Sequence, residues 1–271
     1  MRRRSPTRSA RRNGGAIGAL MEGFARRTGV SGDGEERRYL WTDAFAVLNY
    51  LTLHRHGDRT ALGLAVHLAN RVHHVLGRYR PDDTRRGWIS GLSESDGKRH
   101  PTAGGLRIGK PLPERAAWQP PDASLEWERD GQYFHYLTRW MQSLLRLSAS
   151  TGDSTYRVQA LELGRVSWEK FTHPELPSHA VLYWKMSTDL SRPLVLAQGA
   201  HDPLDALVTF SMLRRAAHPS ELAETWPELE QTIDELAELC RRTSFRTEDP
   251  LGIGGILLDA LPPGPAGPSR A

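Results

Sequence analysis

Aspartates recur along this chain just ahead of apolar runs, and their type and spacing suggest chemistry. Asp43, Asp130, Asp202 and Asp249 each precede a segment with apolar residues at helical spacing. Hydrolysis of a glycosidic bond requires two carboxyl groups facing each other across the bond, one a protonated acid and one that activates water or attacks. Asp43 and Asp130 are the leading candidates for this pair, and Asp202 is a third catalytic candidate. Aspartate is also a preferred N-cap, so all four are equally expected as helix caps.

Histidines near the same positions offer a second chemistry. His135 and His201 are candidates for the two bases that would face opposite sides of a sugar carbon in epimerisation, and His73 or His74 is a further one. No metal site is expected, because the histidines at 54–56 abut a tight turn and no second cluster has ligand spacing. No cofactor is expected, and no Ser or Cys triad is supported.

Aromatic and polar residues gather in the same regions as the aspartates. A sugar site needs flat apolar faces that pack on pyranose rings and polar groups that read the hydroxyls. The candidate substrate-binding residues are Trp41, Trp88, His100, Arg107, Trp127, Tyr133, Trp184 and Lys185. Trp and Tyr are also common where helix ends meet the edge of a core, so packing is the alternative explanation for these rings.

A glycine-rich segment at 102–115 raises a different function, nucleotide binding. Gly104 and, five residues later, Gly109 with a lysine after it match the loop that cradles phosphates. The next position should supply a hydroxyl for Mg²⁺ but is Pro111, and a second proline two residues later prevents a helix from starting there. The pattern therefore predicts a loop and excludes a phosphate cradle.

The elements that must position these side chains are helices, and they repeat. Segments 41–79, 129–171 and 201–242 each have the pattern of two amphipathic helices joined by a tight turn, and a fourth copy begins at 248–260. The turns are HGD, TGD and a His-Pro turn, whereas the connections between pairs are long. We predict an all-α fold of antiparallel hairpins that stack side by side, with long rim loops that carry a short β-hairpin. The first helices should all begin at this rim.

Composition sets bounds on the class of protein. The 271 residues carry a net charge of +4, and the first twelve contain six arginines and no acid. We interpret residues 1–30 as a disordered basic tail, 31–261 as the helical domain and 262–271 as a disordered Pro/Gly-rich tail. No specific nucleic acid and no membrane are expected as partners, since no apolar stretch approaches the ~20 residues that span a bilayer. A single cysteine, Cys240, fits a reducing compartment and a cytoplasmic location.

These hairpins resemble the six-hairpin glycosidase class, whose members are (α/α)6 toroids. The matching sequences are TDAFAVLNYL…HGD…A, RDGQYFHYLTRW…TGD…Y and QGAHDPLDAL, and a bacterial branch is marked by RPDDTRRGWISGLSESDGKRHPTAGGLRIGK and YWKMSTDLSRPLV. The resemblance covers residues 39–260. The class includes unsaturated glucuronyl hydrolases and N-acylglucosamine and cellobiose 2-epimerases, so it implies a carbohydrate substrate. It implies either hydrolysis by aspartates near the starts of inner helices or epimerisation by histidines.

The number of hairpins departs from that class. A complete toroid has six helix pairs, whereas this sequence supplies three and the start of a fourth. We therefore expect an incomplete toroid, as a fragment or a frameshifted product, and an inactive sugar-binding remnant is a third functional hypothesis. Each missing interface would leave several hundred Å² of apolar surface in water, where burial is worth roughly 25 cal/mol per Å². We predict self-association through the helices near 202–260.

Overall fold

The computed structural model describes residues 8–32, 34–172 and 182–260. As the sequence pattern predicts, the fold is all-α, built from antiparallel helix hairpins with one small three-stranded sheet. Within these ranges no helix combines the length and the apolar character that crossing a membrane requires.

The described residues form eleven helices and three short strands. The helices are α1 (Arg8–Arg27), α2 (Leu40–Arg55), α3 (Ala61–Leu76), α4 (Glu94–Arg99), α5 (Ala123–Glu126), α6 (Phe134–Thr151), α7 (Thr155–Phe171), α8 (Asp202–Ala216), α9 (Pro219–Thr225), α10 (Leu229–Arg242) and α11 (Pro250–Ala260). The strands are β1 (Gln132–Tyr133), β2 (Lys185–Met186) and β3 (Pro193–Val195).

The turns of the first two hairpins, α2–α3 and α6–α7, are built in the same way. Gly57 and Gly152 have φ angles of 106° and 77°, the left-handed region that glycine enters without a steric penalty. Asp58 and Asp153 follow, and each carboxylate accepts the backbone N–H two residues later at 2.9 Å. These turn aspartates therefore stabilise the starts of α3 and α7.

The third hairpin, α8–α10, differs from the prediction of a tight His-Pro turn. The chain forms the short helix α9 between the two long helices. His218 and Glu221 form a reciprocal capping box at its start, and Pro219 occupies the first turn. Because these residues satisfy the first amides of a new helix, the connection becomes helical.

The hairpins pack side by side around α6. This helix lies between α2 and α8, and α11 also packs against α8. Outer helices α3, α7 and α10 cover the backs of their partners. In the core, Trp140 donates its indole N–H to Nε2 of His73 at 3.1 Å, and burial lowers the pKa of His73 to about 3. His73 is thus a neutral core residue and takes no part in the rim.

The predicted rim loops and their β-hairpin are present. Strands β1, β2 and β3 pair antiparallel in that order, with Gln132 opposite Met186. The glycine-rich segment is a rim loop, since the amide of Ile108 donates to the carbonyl of Gly131 at 2.8 Å. The carbonyl of Ile108 in turn accepts the first amide of α2, that of Leu40, at 3.0 Å. The loop therefore fixes where α2 begins.

The prediction of a disordered basic tail is wrong for residues 8–30, which the structure describes. Helix α1 occupies most of this segment and packs against α2. Met21 and Ala25 are buried on that side, and the Tyr50 hydroxyl donates to the Met21 carbonyl at 3.1 Å. An apolar stripe after the arginines provides this contact. Residues 1–7 and the predicted tail at 262–271 lie outside the described residues.

Of the four recurring aspartates, Asp249 takes the N-cap position of its helix. Its Oδ2 accepts the N–H of Gly252 at 2.7 Å. Asp202 is the first residue of α8, whereas Asp43 lies in the first turn of α2 and Asp130 lies four residues ahead of α6. The alternative explanation, that the aspartates are helix caps, therefore holds for Asp249. For Asp43 and Asp130 the rim loop and β1 determine where α2 and α6 start.

Candidate functional site

The N-terminal ends of α2, α6, α8 and α11 surround a cavity of about 360 Å³, which we call the mouth cavity. The rim connections add Trp127, Trp184 and residues 197–200 to its wall. Its other lining residues are Trp41, Tyr133, His135, Tyr136, Arg139, His201, Asp202, Asp205, Asp249, Leu251 and Gly255. Seven of the predicted site residues therefore come together here.

Asp202 is the most deeply buried acid of the mouth cavity, with a side chain only 1% exposed. Burial raises its pKa from 3.8 to about 7, and a hydrogen bond from the backbone of Gly199 counteracts this in part. A Cβ at position 199 would lie 2.4 Å from the Asp202 carboxyl group, so the backbone can come this close to the carboxyl group only because residue 199 is glycine. Near neutral pH a large share of Asp202 is protonated, which is the state that a general acid needs.

Two imidazoles lie beside this carboxyl group. Nδ1 of His135 is 3.6 Å from Oδ1 of Asp202, which is beyond hydrogen-bond distance. A fifth of the His135 side chain is exposed, yet burial, with His201 and then Arg139 nearby, lowers its pKa to about 3. His201 precedes α8, and a Cβ at Gly252 would lie 3.1 Å from its Cε1. The small residues of α11 thus allow that helix to approach the imidazole.

A second acid pair joins α8 to α11 at the inner edge of the mouth cavity. Burial raises the pKa of Asp205 well above its usual value, and a hydrogen bond with the Asp259 carboxyl group, and its charge, raise it further. Oδ1 of Asp259 lies 3.5 Å from Nη2 of Arg139. The other terminal nitrogen of Arg139, Nη1, donates to Oε1 of Gln142 at 2.7 Å. A guanidinium therefore lies within ion-pair distance of Asp259.

Three stacked rings form one wall of the mouth cavity. Trp184 stacks on Tyr133 with ring centroids 4.9 Å apart, and Tyr133 stacks on His135 at 5.6 Å. The rings are inclined by only 23° and 21°. Rings inside such a column cover one another's faces, so Tyr133 stiffens the wall and offers no free face to a ligand.

Two other tryptophans have faces that a sugar can reach. Trp127 is 56% exposed and meets Trp184 edge-on at 5.0 Å. Trp41 is half-buried and stacks on Tyr136 at 5.0 Å. The Tyr136 hydroxyl is held by that of Tyr39 at 2.6 Å, which fixes the ring beneath Trp41. The mouth cavity therefore has two flat platforms on opposite elements, α2 and the rim.

Asp249 is an exposed acid of the mouth cavity, in contrast to Asp202 and Asp205. The capping bond to Gly252 occupies its Oδ2 and holds the carboxylate at the start of α11. A carboxylate at a helix N-terminus is stabilised by the helix dipole. The mouth cavity thus combines a buried, partly protonated acid with an exposed carboxylate.

The leading predicted pair, Asp43 and Asp130, lies outside the lining of the mouth cavity. Oδ2 of Asp43 accepts the N–H of Tyr39 at 3.0 Å, and Oδ1 is 3.6 Å from Nη1 of Arg38. Burial raises the pKa of Asp43 to about 7, although the charge of Arg38 opposes the shift. The Asp43 carboxyl group therefore binds the backbone at the start of its own helix, α2, and does not line the mouth cavity.

Asp130 is fully buried and anchors the rim loop. It binds Nη1 of Arg107 at 2.5 Å and accepts the amide of Gly109 at 2.9 Å. Arg107 also donates to the carbonyls of Val75 and Arg78 at the end of α3, at 2.7 and 2.6 Å. Asp130 was expected to point into the mouth with Asp43, but its carboxylate is bound to the rim loop instead. Arg107 was expected to contact substrate, but these bonds hold its guanidinium at the end of α3, outside the lining of the mouth cavity.

The other predicted binding residues also lie elsewhere. Lys185 is fully buried and donates from Nζ to the carbonyl of Glu126 at 2.6 Å. Trp88 is only 3% exposed, in the first long connection. His100 binds Oε1 of Glu162 on α7 at 2.5 Å. None of the three lines the mouth cavity in the part of the chain that the structure describes.

Sequence reasoning missed several residues that line or border the mouth cavity: Tyr136, Arg139, Asp205 and Asp259. Arg139 lies four residues after His135 and Asp205 three after Asp202, so helical spacing would have placed them on the same faces. Asp259 had no such signal, because its position depends on how α11 packs against α8.

No group of three metal-ligating side chains forms among the described residues. In comparisons with known proteins, no family model matches this chain, and no curated protein is significantly similar to it in sequence. The mouth cavity must therefore be interpreted from its own geometry.

Proposed function

We propose that the protein is a carbohydrate-active enzyme of the six-hairpin glycosidase kind and that the mouth cavity hydrolyses a glycosidic bond. One observation carries the proposal: Asp202, a buried acid with a pKa of about 7, shares an aromatic-walled cavity with the exposed carboxylate of Asp249. Glycoside hydrolysis needs these two states of a carboxyl group in one site.

In this proposal Asp202 is the general acid. Its proton passes to the glycosidic oxygen as the bond to the leaving sugar breaks, and Asp249 accepts a proton from the water that attacks the sugar carbon. The rings of Trp41 and Trp127 pack on pyranose faces. The neutral imidazole of His135 can donate or accept a hydrogen bond to a hydroxyl without adding charge.

Epimerisation is the second candidate, and the two imidazoles in one cavity favour it. It needs bases whose pKa lies near the working pH. The pKa of about 3 makes His135 a weak base, which favours hydrolysis over a two-histidine mechanism. A non-catalytic sugar-binding role would use the same aromatic platforms.

The test is a panel of aryl glycosides and oligosaccharides with the full chain and three variants. Asp202→Asn and Asp249→Asn should each lower kcat by at least about 10²-fold, the scale of a lost general acid or base. Asparagine also caps helices well, so Asp249→Asn keeps α11 intact. Asp153→Asn, in the turn at the far end of α6, is the matched control and should retain full activity.

The pH profile separates the roles. Since Asp202 must be protonated, kcat should fall as the pH rises through about 7, and this limb should vanish in Asp202→Asn. Hydrolysis that survives both substitutions would reject the assignment. Deuterium exchange from heavy water into a free sugar, without hydrolysis, would support epimerisation instead.

A further inference from the structure

A second cavity of about 410 Å³ lies between α2, α6, α8 and α11, further from the N-terminal ends of α2, α6 and α8 than the mouth cavity. We call it the lower cavity. Its walls are the inner faces of α2, α6, α8 and α11, and Arg139 lines both cavities. Its volume is within the range of sites that hold small organic ligands. The proposed hydrolysis does not use this space.

Apolar side chains form the body of the lower cavity. Phe45 and Leu48 contribute from α2, and Leu207 and Met212 contribute from α8. Phe45 and Leu48 are three residues apart, so they share one face of α2. All four are at least partly exposed, and an apolar ligand would remove this surface from water.

Arginines give the lower cavity its charge. Arg139, Arg146 and Arg215 line it, and Asp259 is the only acid among its described lining residues. Arg146 is half-buried, and burial together with the nearby charge of Arg55 lowers its pKa. Three arginines and one acid among the described lining residues therefore favour a ligand that carries negative charge.

Arg139 supplies an independent sign that a ligand binds. Its side chain is 5% exposed, and its buried Nε has no hydrogen-bond partner among the described residues. Buried polar atoms in native proteins are almost always paired. A hydroxyl or carbonyl oxygen of a ligand beside Arg139 would accept a hydrogen bond from this Nε.

We propose that the lower cavity binds a small amphiphilic anion, with its apolar body against Phe45, Leu48 and Met212 and its carboxylate against Arg146 and Arg215. An aryl-alkyl carboxylate matches this pattern of apolar wall and cationic end. Arg139 and Asp259 lie at the boundary with the mouth cavity and meet polar groups at the other end of the ligand.

Calorimetric titration of the full chain with three isosteric probes tests the proposal. The probes are 4-phenylbutyrate, 4-phenylbutan-1-ol and 4-phenylbutylamine, which share one body and differ in charge. We expect the carboxylate to bind at least about tenfold more tightly than the alcohol, and the amine to bind most weakly. Equal affinities, or no binding of the carboxylate, would overturn the proposal.

Three variants locate the site. Arg146→Gln should weaken the binding of 4-phenylbutyrate about tenfold and leave the affinity for the alcohol nearly unchanged. Leu48→Trp should fill the lower cavity and abolish binding of both. Arg165→Gln, an exposed arginine of α7 paired with Glu169 at 4.0 Å, is the matched control and should change neither.

Two further outcomes would also reject the proposal. If Arg146→Gln binds the carboxylate like the parent chain, the anion does not contact this end of the lower cavity. If light scattering shows a stable dimer whose dissociation is needed before any probe binds, a second copy covers this face. Measuring glycoside hydrolysis by Arg146→Gln in parallel distinguishes a failure of this proposal from a failure of the proposed function.

Discussion

Replacing Asp202 with asparagine should change how the stability of this protein depends on pH. The wild-type carboxyl group is 1% exposed, and its pKa rises from 3.8 to about 7 because burial disfavours the charged form. In the unfolded chain the group ionises near its ordinary pKa. Between pH 4 and pH 7, roughly, the folded protein therefore keeps a proton on Asp202 that the unfolded chain has released.

The sign and size of the effect follow from linkage. Below about pH 4 the group is protonated in both states and imposes no penalty. As the pH rises from about 4 to about 7, stability falls, and the full penalty remains above pH 7. At 1.36 kcal/mol for each tenfold change in the ionisation constant, the penalty approaches about 4 kcal/mol, of which about 3 kcal/mol accumulates between pH 5 and pH 8.

Asparagine cannot ionise, so this part of the pH dependence should disappear. We expect urea unfolding, followed by tryptophan fluorescence, to show that Asp202→Asn gains up to about 3 kcal/mol relative to the parent between pH 5 and pH 8. Asp43 has a pKa raised to about 7 as well, but it titrates equally in both proteins and cancels from the difference.

The matched control is Asp153→Asn, since Asp153 is exposed in the α6–α7 turn. The free energy of unfolding of Asp153→Asn should depend on pH in the same way as that of the parent protein. If Asp202→Asn also follows the parent within about 0.5 kcal/mol across this range, Asp202 is ionised and solvated in the fold. That result would refute the reasoning and remove the proposed general acid.

Further predictions concern the rim, α1 and α11. Arg107→Ala should lower the free energy of unfolding by about 3–5 kcal/mol in urea, because it removes the shortest ion pair of the buried Asp130 and leaves, among the described residues, only Arg80, at 3.8 Å, as a cation beside it; Arg165→Ala should change it little. Gly199→Ala should abolish hydrolysis, because its Cβ would lie 2.4 Å from the Asp202 carboxyl, whereas Gly254→Ala, with nothing within 4 Å, should not. Met21→Ala should cost about 2–5 kcal/mol if α1 packs as described, and a neutral result would restore the disordered tail. Leu257→Glu should weaken self-association in light scattering, since Leu257 is 62% exposed on α11; an unchanged mass would place the contact elsewhere.

Local patterns in the sequence specify the hairpins and the end of the molecule where a site could form. Apolar spacing of 3.6 residues specifies helices locally, and the Gly-Asp turns specify where each pair reverses. Long connections then had to lie at the ends where the inner helices begin. For this reason Trp41, Tyr133, His135, Trp184 and His201 were identified before their contacts were known.

The sequence also misled in places where local signals were ambiguous. The arginines of the first twelve residues suggested a disordered tail, yet Met21 and Ala25 are buried against α2. Asp43 and Asp130 resembled Asp202 in sequence, since each precedes an apolar run. A carboxylate beside a helix start can bind its own helix, anchor a loop or face a cavity, and the sequence around it is the same in all three cases.

Which aspartates face the mouth cavity depends on the packing of helices that are distant in sequence. The partner of Asp130 is Arg107 of the rim loop, and the partner of Asp205 is Asp259 of α11, more than fifty residues further along the chain. Such contacts depend on how separate helices pack, which no local pattern encodes. The pKa of Asp202 likewise depends on how completely distant segments exclude water from it. Residue types are properties of the sequence, whereas burial and charge balance are properties of the packed fold.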